Sequence, residues 1–333
     1  MTQKEAWHII FNYHAENEPE RDKPVFEDAC HTLMDQYGDY QAAVDLGGKY
    51  YSDQNYDLAL KYYSIAAEHD IPYGYIGLGY IWYYGRTGTT DYQKAFECFP
   101  KALKLLSGYS IDDDSFWNGK WKISFDSEDS YIDYINTVYK LADMYRNGYY
   151  VVKDNSRYIR LITYLHDMMI TLSDTGMPDY NLPEIDLRMA DIMLNYEEPA
   201  FAEDHALHYL SEGRYVMEQR LYESDFFGDF NIMKDIVLKI YQITEFNPED
   251  MDLYDLYYVM KKPCKVTFDH DDKTHFISAE KQKNEIVINA DHKWFHSIDE
   301  FMIHGDIDGE RIPDVNDTCD HYSLMTANTW ERA

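Results

Sequence analysis

The chain has few cysteines, few cationic residues and no long apolar run. Its 4 cysteines lie far apart in 333 residues, at Cys30, Cys98, Cys264 and Cys319, with no C-x-x-C pair. Metal clusters and redox motifs use close spacing, so the four indicate isolated thiols in a reducing compartment. No stretch approaches the roughly 18 apolar residues of a membrane span. The N-terminal segment, residues 1–18, fits neither a signal nor a transit peptide. We therefore expect a soluble, cytoplasmic protein.

Positive charge is also scarce. The chain has 30 Lys+Arg against 61 Asp+Glu, a formal net charge of −31. Such a field repels phosphate backbones and anionic membranes, so we expect no direct nucleic-acid or membrane partner. A protein that imitates nucleic-acid charge would carry acidic stripes, whereas these acids are scattered among lysines.

Apolar and aromatic residues are plentiful. The hydrophobic fraction is 45% and the aromatic fraction 16%, with 33 tyrosines. This composition supplies a packed core and differs from that of a disordered chain.

One unit occurs twice between residues 40 and 102. Leu46-Gly47-x-x-Tyr50 recurs as Leu78-Gly79-x-x-Trp82, 32 positions further on. Each copy continues into a block of alanines and one aromatic residue, namely Ala59, Tyr63 and Ala66, then Ala95, Phe99 and Ala102. A period in the thirties predicts stacked helical hairpins, each too thin to bury its apolar face alone.

These residues resemble the SEL-one-like repeat family, a relative of the tetratricopeptide repeat with a longer loop between its two helices. In the second unit the matching positions are Leu78, Gly79, Gly85, Asp91, Lys94, Ala95 and Ala102. In the third they are Leu141, Tyr145, Gly148, Val151 and Asp154. The first unit, 46–67, has ordinary tetratricopeptide spacing, and a fourth begins near Met189. The resemblance covers roughly residues 40–215.

The fold class that follows is mainly α, an α-α superhelix of helical hairpins with a small C-terminal α+β module. Residues 1–39 are predicted as capping helices and 40–260 as the repeat array. Insertions near 108–130 and 173–184 interrupt the period. Residues 261–333 form the module, because short β-branched runs replace the helical period there.

The resemblance implies that the first helix of each hairpin lines a concave groove where partners dock. The residues it places on that face are Tyr51, Tyr73, Tyr80, Tyr83, Tyr84, Tyr139, Asp143 and Arg146. Tyrosine and arginine are enriched at binding hot spots. Trp117 and Trp121 of the first insertion are further candidates for partner contact. The alternatives are that several of these tyrosines belong to the core, and that the tryptophans only anchor a loop.

Motifs for catalysis, cofactors or metals are weak. The sequence has no phosphate-binding loop, nucleophile elbow or dinucleotide fingerprint. Six of the 13 histidines fall between residues 270 and 321, without the spacing of a hydrolytic metal site, and we expect most of them in solvated turns. Residues 305–309 suggest a calcium loop but lack two anchor ligands, so a turn is expected. We predict no catalytic residue, cofactor or metal.

The function predicted from the sequence is a non-catalytic adaptor that binds a protein or peptide partner in the Tyr-rich groove. Its acidic surround favours a basic partner. Two alternatives stay open. One is an acidic inhibitor or immunity-type protein, of bacterial or phage kind, that blocks a nucleic-acid-processing enzyme. The other is a metal-dependent enzyme that uses the histidine-rich C-terminal module. The oligomeric state is not specified by the sequence.

Overall fold

A computed structural model describes residues 1–15, 19–113, 116, 125, 127–173, 181–224, 226–283 and 285–326. The chain divides into two compact units, Met1–Met168 (unit 1) and Met169–Ala333 (unit 2). Among the helices so described, none is both long and apolar enough to cross a membrane. The predicted class, mainly α with a small C-terminal sheet, is confirmed.

Unit 1 is built from helices. Their bounds are α1 Gln3–Ala15, α2 Pro19–Tyr37, α3 Gln41–Ser52, α4 Tyr56–Glu68, α5 Pro72–Tyr83, α6 Tyr92–Ser107, α7 Glu128–Asn147 and α8 Asn155–Ser173, the last of which runs past the unit boundary. Consecutive helices pack as pairs, α1 with α2, α3 with α4 and α5 with α6. The pairs stack because α4 also packs on α5 and α6 on α7.

Aspartates of the repeat motif begin the second helices. The Asp91 side chain accepts a hydrogen bond from the Lys94 backbone N–H at 3.1 Å, at the start of α6. The Asp154 side chain does the same for the Arg157 N–H at 3.0 Å, at the start of α8. A side-chain oxygen here satisfies one of the N–H groups that the first helical turn leaves unpaired. The recurring aspartate therefore sets where α6 and α8 begin, and Asn55 has the same role at the start of α4.

Glycines on the first helices make room for rings on the second helices. A Cβ at Gly47 would lie 2.6 Å from the Tyr63 ring of α4, and a Cβ at Gly79 would overlap the Phe99 ring of α6. Gly77 of α5 faces the same Tyr63 ring, again at 2.6 Å. The repeated unit therefore pairs a glycine with a ring in both copies, Gly47 with Tyr63 and Gly79 with Phe99. The Tyr63 ring also packs on α5, so it contacts both α3 and α5.

Unit 2 begins with helices and ends with a sheet. Its helices are α9 Leu182–Tyr196, α10 Pro199–Glu223, α11 Phe227–Ile243, α12 Leu256–Val259, α13 Ile298–His304 and α14 Ile312–Val315. Its strands are β1 Cys264–His270, β2 Lys273–Gln282, β3 Glu285–Ala290, β4 Lys293–Phe295, β5 Asp306–Ile307, β6 Glu310–Arg311 and β7 Asp320–Thr326. The main sheet has the order β4-β3-β2-β1-β7, with antiparallel neighbours, and β5 pairs with β6.

Helices and sheet share one core in unit 2. The same cluster of buried side chains contains Met233 and Val237 of α11 and Val266 and Phe268 of β1. The boundary predicted at residue 260 therefore falls inside a continuous hydrophobic core. The change from helical to strand periodicity marks a change of secondary structure within that core.

Candidate functional site

The predicted groove face of unit 1 carries a cluster of tyrosines joined by two cations. The Arg86 guanidinium lies 5.7 Å from the Tyr51 ring centre and 5.2 Å from that of Tyr84. Its Nε donates a hydrogen bond to the Tyr51 hydroxyl at 3.1 Å. Tyr51 lies in the last turn of α3 and Tyr84 follows α5, so Arg86 links two first helices.

Lys140 extends this cluster to α7. Its Nζ lies 5.3 Å from the Tyr83 ring centre, 5.1 Å from Tyr84 and 5.4 Å from Tyr139. A cation over a ring face is attracted by the ring quadrupole, typically by about 0.5–1 kcal/mol at exposed sites. Arg86 and Lys140 are not among the residues predicted from the sequence. The available signal was their position two residues after Tyr84 and directly after Tyr139.

The tyrosines of this cluster differ in burial. Tyr84 is 45% exposed, whereas Tyr80 and Tyr83 are partly buried, with ring centres 5.9 and 6.3 Å from that of Phe99. Burial, reinforced by nearby Asp133, raises the pKa of the Tyr80 hydroxyl above its usual range. Burial and Asp143 raise the pKa of Tyr83 in the same direction. Tyr80 and Tyr83 therefore support the core as well as the face, while Tyr84 faces solvent.

An open cavity of about 430 Å³ lies where α3, α5 and α7 begin. Its lining residues are Gln41 and Val44 of α3, Tyr73 of α5, and Ser127, Ile132 and Asp133 at the start of α7. Tyr73 lies at the other end of α5 from Tyr83. The cavity lining combines apolar side chains, a phenol and one carboxylate.

The remaining predicted residues have other surroundings. The Arg146 guanidinium lies 5.3 Å from the ring centre of Tyr158, a buried residue of α8. Trp117 and Trp121 lie outside the described residues. The described parts of that insertion are anchored in the core, because Phe116 is fully buried and the Phe125 ring lies 5.2 Å from Tyr131.

The four cysteines are free thiols. Burial raises the pKa of Cys98, Cys264 and Cys319 to about 11 in each case, and burial raises that of Cys30 further. Because the thiolate is the nucleophile, these thiols are unreactive at neutral pH.

Two histidines of unit 2 depart from the expected solvated turns. His270 ends β1 and His275 lies in β2, and they are only 4% and 5% exposed. Their ring centres are 6.1 Å apart. Residues 305–309 contain a tight turn between β5 and β6, as expected, and that turn brings Asp308 to 3.9 Å from His275 Nε2.

No family model matches the chain, and no curated protein sequence matches it. Among solved structures, the chain is similar to a Sel1 repeat protein from Oxalobacter formigenes, with 16% identity and a TM-score of 0.30, over 72% of this chain and 76% of that one. It is also similar to a protective antigen of uropathogenic Escherichia coli strains that displays an SLR fold, with 15% identity and a TM-score of 0.22. That alignment covers 74% of this chain and 66% of the antigen, just under two thirds. Because identity and TM-scores are low, the hairpin architecture described above rests on its own geometry.

Proposed function

We propose that this chain is a non-catalytic, cytoplasmic adaptor that binds a segment of a protein partner on the face formed by α3, α5 and α7. The observation that carries the proposal is the cluster in which Tyr84 lies between Arg86 and Lys140. The cavity lined by Tyr73 and Asp133 extends the same face.

The side chains of this cluster are held in place by one another. Aromatic side chains bury much area with few rotatable bonds, and they dominate binding hot spots. Arg86 is fixed by its hydrogen bond to the Tyr51 hydroxyl at 3.1 Å. Side chains that are ordered before binding lose little conformational entropy when a partner arrives. The face is therefore suited to tight binding over a modest area.

We propose that the partner segment is basic. The chain carries a net charge of −31, and carboxylates lie at both ends of the face, Asp133 in the cavity and Asp143 near Tyr83. A field of this sign speeds the approach of a cationic partner and opposes nucleic acid and anionic lipid. Binding should therefore weaken as salt concentration rises.

The test compares two pairs of tyrosine substitutions. Affinity capture from the native host, followed by mass spectrometry, uses the wild-type chain, Tyr84→Ala with Tyr139→Ala, and Tyr215→Ala with Tyr222→Ala as control. Tyr215 and Tyr222 of α10 belong to unit 2 and are 66% and 62% exposed. We expect a partner retained by wild type and control and reduced at least tenfold with the first pair, at an unchanged melting temperature. Equal capture by all three would contradict the proposal.

The identity of the captured partner separates the adaptor from the inhibitor. If the partner is a nucleic-acid-processing enzyme, its activity is measured with and without the wild-type chain. Salt-sensitive inhibition that the Tyr84/Tyr139 variant loses would assign the chain to the inhibitor class. Unchanged enzyme activity would exclude the inhibitor hypothesis and favour the adaptor hypothesis.

A further inference from the structure

Three tight turns of unit 2 each begin with an aspartate. Two-residue loops join β1 to β2 at Asp271-Asp272, β3 to β4 at Asp291-His292, and β5 to β6 at Asp308-Gly309. All six residues have positive φ, from 43° at Asp291 to 94° at Gly309. Such values define the hairpin turns that match strand twist, and aspartate tolerates them better than most residues. Each of these aspartate carboxylates lies near one of two buried imidazoles, Asp271 near His270, and Asp291 and Asp308 near His275.

His275 is oriented by one of these carboxylates. Its Nδ1 lies 2.6 Å from Asp291 Oδ2, while Asp291 Oδ1 accepts the Phe276 backbone N–H at 2.9 Å. An ionised carboxylate only accepts hydrogen bonds, so the proton of the neutral ring is on Nδ1. The Nε2 lone pair is then left as a donor for an electrophile.

His270 is oriented by a hydroxyl in the same way. Its Nδ1 lies 3.0 Å from Thr318 Oγ1, and that hydroxyl donates its own proton to the Val315 carbonyl at 2.9 Å. When that proton is donated to the Val315 carbonyl, Thr318 Oγ1 accepts from His270 Nδ1–H, and the Nε2 lone pair of the neutral ring is left unprotonated.

Both Nε2 atoms are buried, and within the described part of the chain neither has a hydrogen-bond partner. His270 Nε2 lies 3.9 Å from Asp271 Oδ2 and 3.9 Å from Glu310 Oε1. These three donor atoms all lie within 4.8 Å of one another. Buried polar atoms without a partner are rare, and each calls for an explanation such as an ion.

We propose that the clustered donors of His270, Asp271 and Glu310 bind one divalent transition-metal ion of the zinc class. His275 lies outside that cluster and would become the fourth ligand after a shift of its ring toward His270. Imidazole nitrogens with carboxylate oxygens are the donor set of such ions, whereas Mg²⁺ and Ca²⁺ prefer oxygen alone. Asp291 and Thr318 supply the second hydrogen bond that metal-binding histidines characteristically make. Asp308 is engaged by Lys273 and contributes charge beside the site.

The spacing suits one ion after a small adjustment. With metal–ligand bonds of about 2.0–2.2 Å, tetrahedral donors lie roughly 3.3–3.6 Å apart, and two imidazoles on one ion have ring centres roughly 5–6 Å apart. The ring centres of His270 and His275 are 6.1 Å apart. The Asp271 and Glu310 side chains are 75% and 56% exposed, so they can move inward and the ion can enter from the solvent side.

A second group of donors in the same unit serves as the matched control. Asp269, Asp320 and His321 also bring three donor atoms together. Their side chains are 41%, 66% and 76% exposed, and His321 Nδ1 is engaged by Asp320 at 3.1 Å. This group has no buried donor, so we expect it to bind no ion tightly.

The experiment titrates the full, tag-free chain with Zn²⁺ by calorimetry after chelator treatment. We expect one equivalent bound with sub-micromolar affinity, and Co²⁺ in its place should give the intense visible absorption of a low-symmetry site. His270→Gln should lower Zn²⁺ affinity at least 100-fold, and Asp291→Asn about 10–100-fold through the orientation of His275. His321→Gln should leave the affinity unchanged.

Glu310→Gln guards against loss of folding, because Glu310 is exposed and its substitution leaves the core intact. It should weaken Zn²⁺ binding about tenfold and alter the Co²⁺ spectrum. Absence of stoichiometric binding to the wild-type chain would overturn the proposal. So would equal affinities and spectra for wild type and Glu310→Gln, or loss of binding in His321→Gln. None of these results depends on the groove of unit 1.

Discussion

The two units use different means to fill their interiors. Unit 1 interlocks rings with glycines, as Gly47 does with Tyr63, and places Arg86 and Lys140 over the Tyr84 ring. Unit 2 buries charge: Arg214 bonds to Asp252 at 2.6 Å and to Asp255 at 3.1 Å, and Asp255 is only 1% exposed. In unit 1, substitutions in the core are limited by the space beside the packed rings. In unit 2, they are limited by the need to keep each buried charge paired with an opposite charge. The two candidate sites follow the same division, an aromatic surface in unit 1 and buried polar atoms in unit 2.

The largest expected effect comes from breaking the buried ion pairs of unit 2. Arg214→Met leaves the Asp255 carboxylate buried without its cation, which should cost about 3–5 kcal/mol of unfolding free energy. Urea denaturation measures the loss. Lys94→Met is the matched change in unit 1, where the pair with Asp91 has side chains 52% and 33% exposed. It should cost about 1 kcal/mol or less. Similar costs for the two variants would remove the contrast between the units.

Two adjacent glycines test the steric limit in unit 1. Gly47→Ala puts a methyl group 2.6 Å from the Tyr63 ring, which Gly77 blocks on its other side. We expect a loss of about 1–3 kcal/mol in unfolding free energy. Gly48→Ala places its methyl group 3.7 Å from the Tyr63 hydroxyl, so it should be neutral or gain up to about 1 kcal/mol from helix propensity. Thermal unfolding of both variants decides the question, and a loss at Gly48 equal to that at Gly47 would show that the ring can move.

The smallest effect, counted per pH unit, is a slope in the stability of unit 2. Burial, with a contribution from Glu212, raises the pKa of Asp186 to about 8. The folded state then holds a proton that the unfolded state releases above about pH 4, so stability falls as pH rises toward 8. We expect this group to contribute a slope of about 1 kcal/mol per pH unit in urea denaturation. Asp186→Asn should flatten the slope, whereas Asp204→Asn, at an exposed position of α10, should not. An unchanged slope in Asp186→Asn would contradict the assignment.

Local signals made the helical hairpins predictable. The doubled Leu-Gly-x-x-aromatic unit indicates α3 to α6, and the recurring aspartate indicates the starts of α6 and α8, through contacts between residues close in sequence. The alanine at the second contact point, Ala59, is fully buried as its spacing indicated. The role of Arg86 was not predictable in the same way, because its ring partners come from different helices. A cation becomes part of the groove only through the stacking of hairpins.

The buried histidines were missed for a different reason. Their clustering with Asp271 and Asp272 predicts a solvated turn, and those two aspartates do form one. The overlooked signal is the strand period of two, since His270 is in phase with Val266 and Phe268, which are both fully buried. Likewise, His275 is in phase with Ile277 and Ala279. The partner atoms on Asp291 and Thr318 come from other elements, and no sequence spacing indicates them.

The packing of the Tyr63 ring determines how the helical hairpins of unit 1 unfold locally. Gly47 of α3 and Gly77 of α5 both pack against the Tyr63 ring. If either helix detaches, it therefore exposes the side of the ring that packs on the other helix as well. The first and second hairpins should therefore open as one cooperative block, although each is a complete repeat in sequence. A single shared side chain thus makes the smallest unit of folding larger than the smallest unit of sequence.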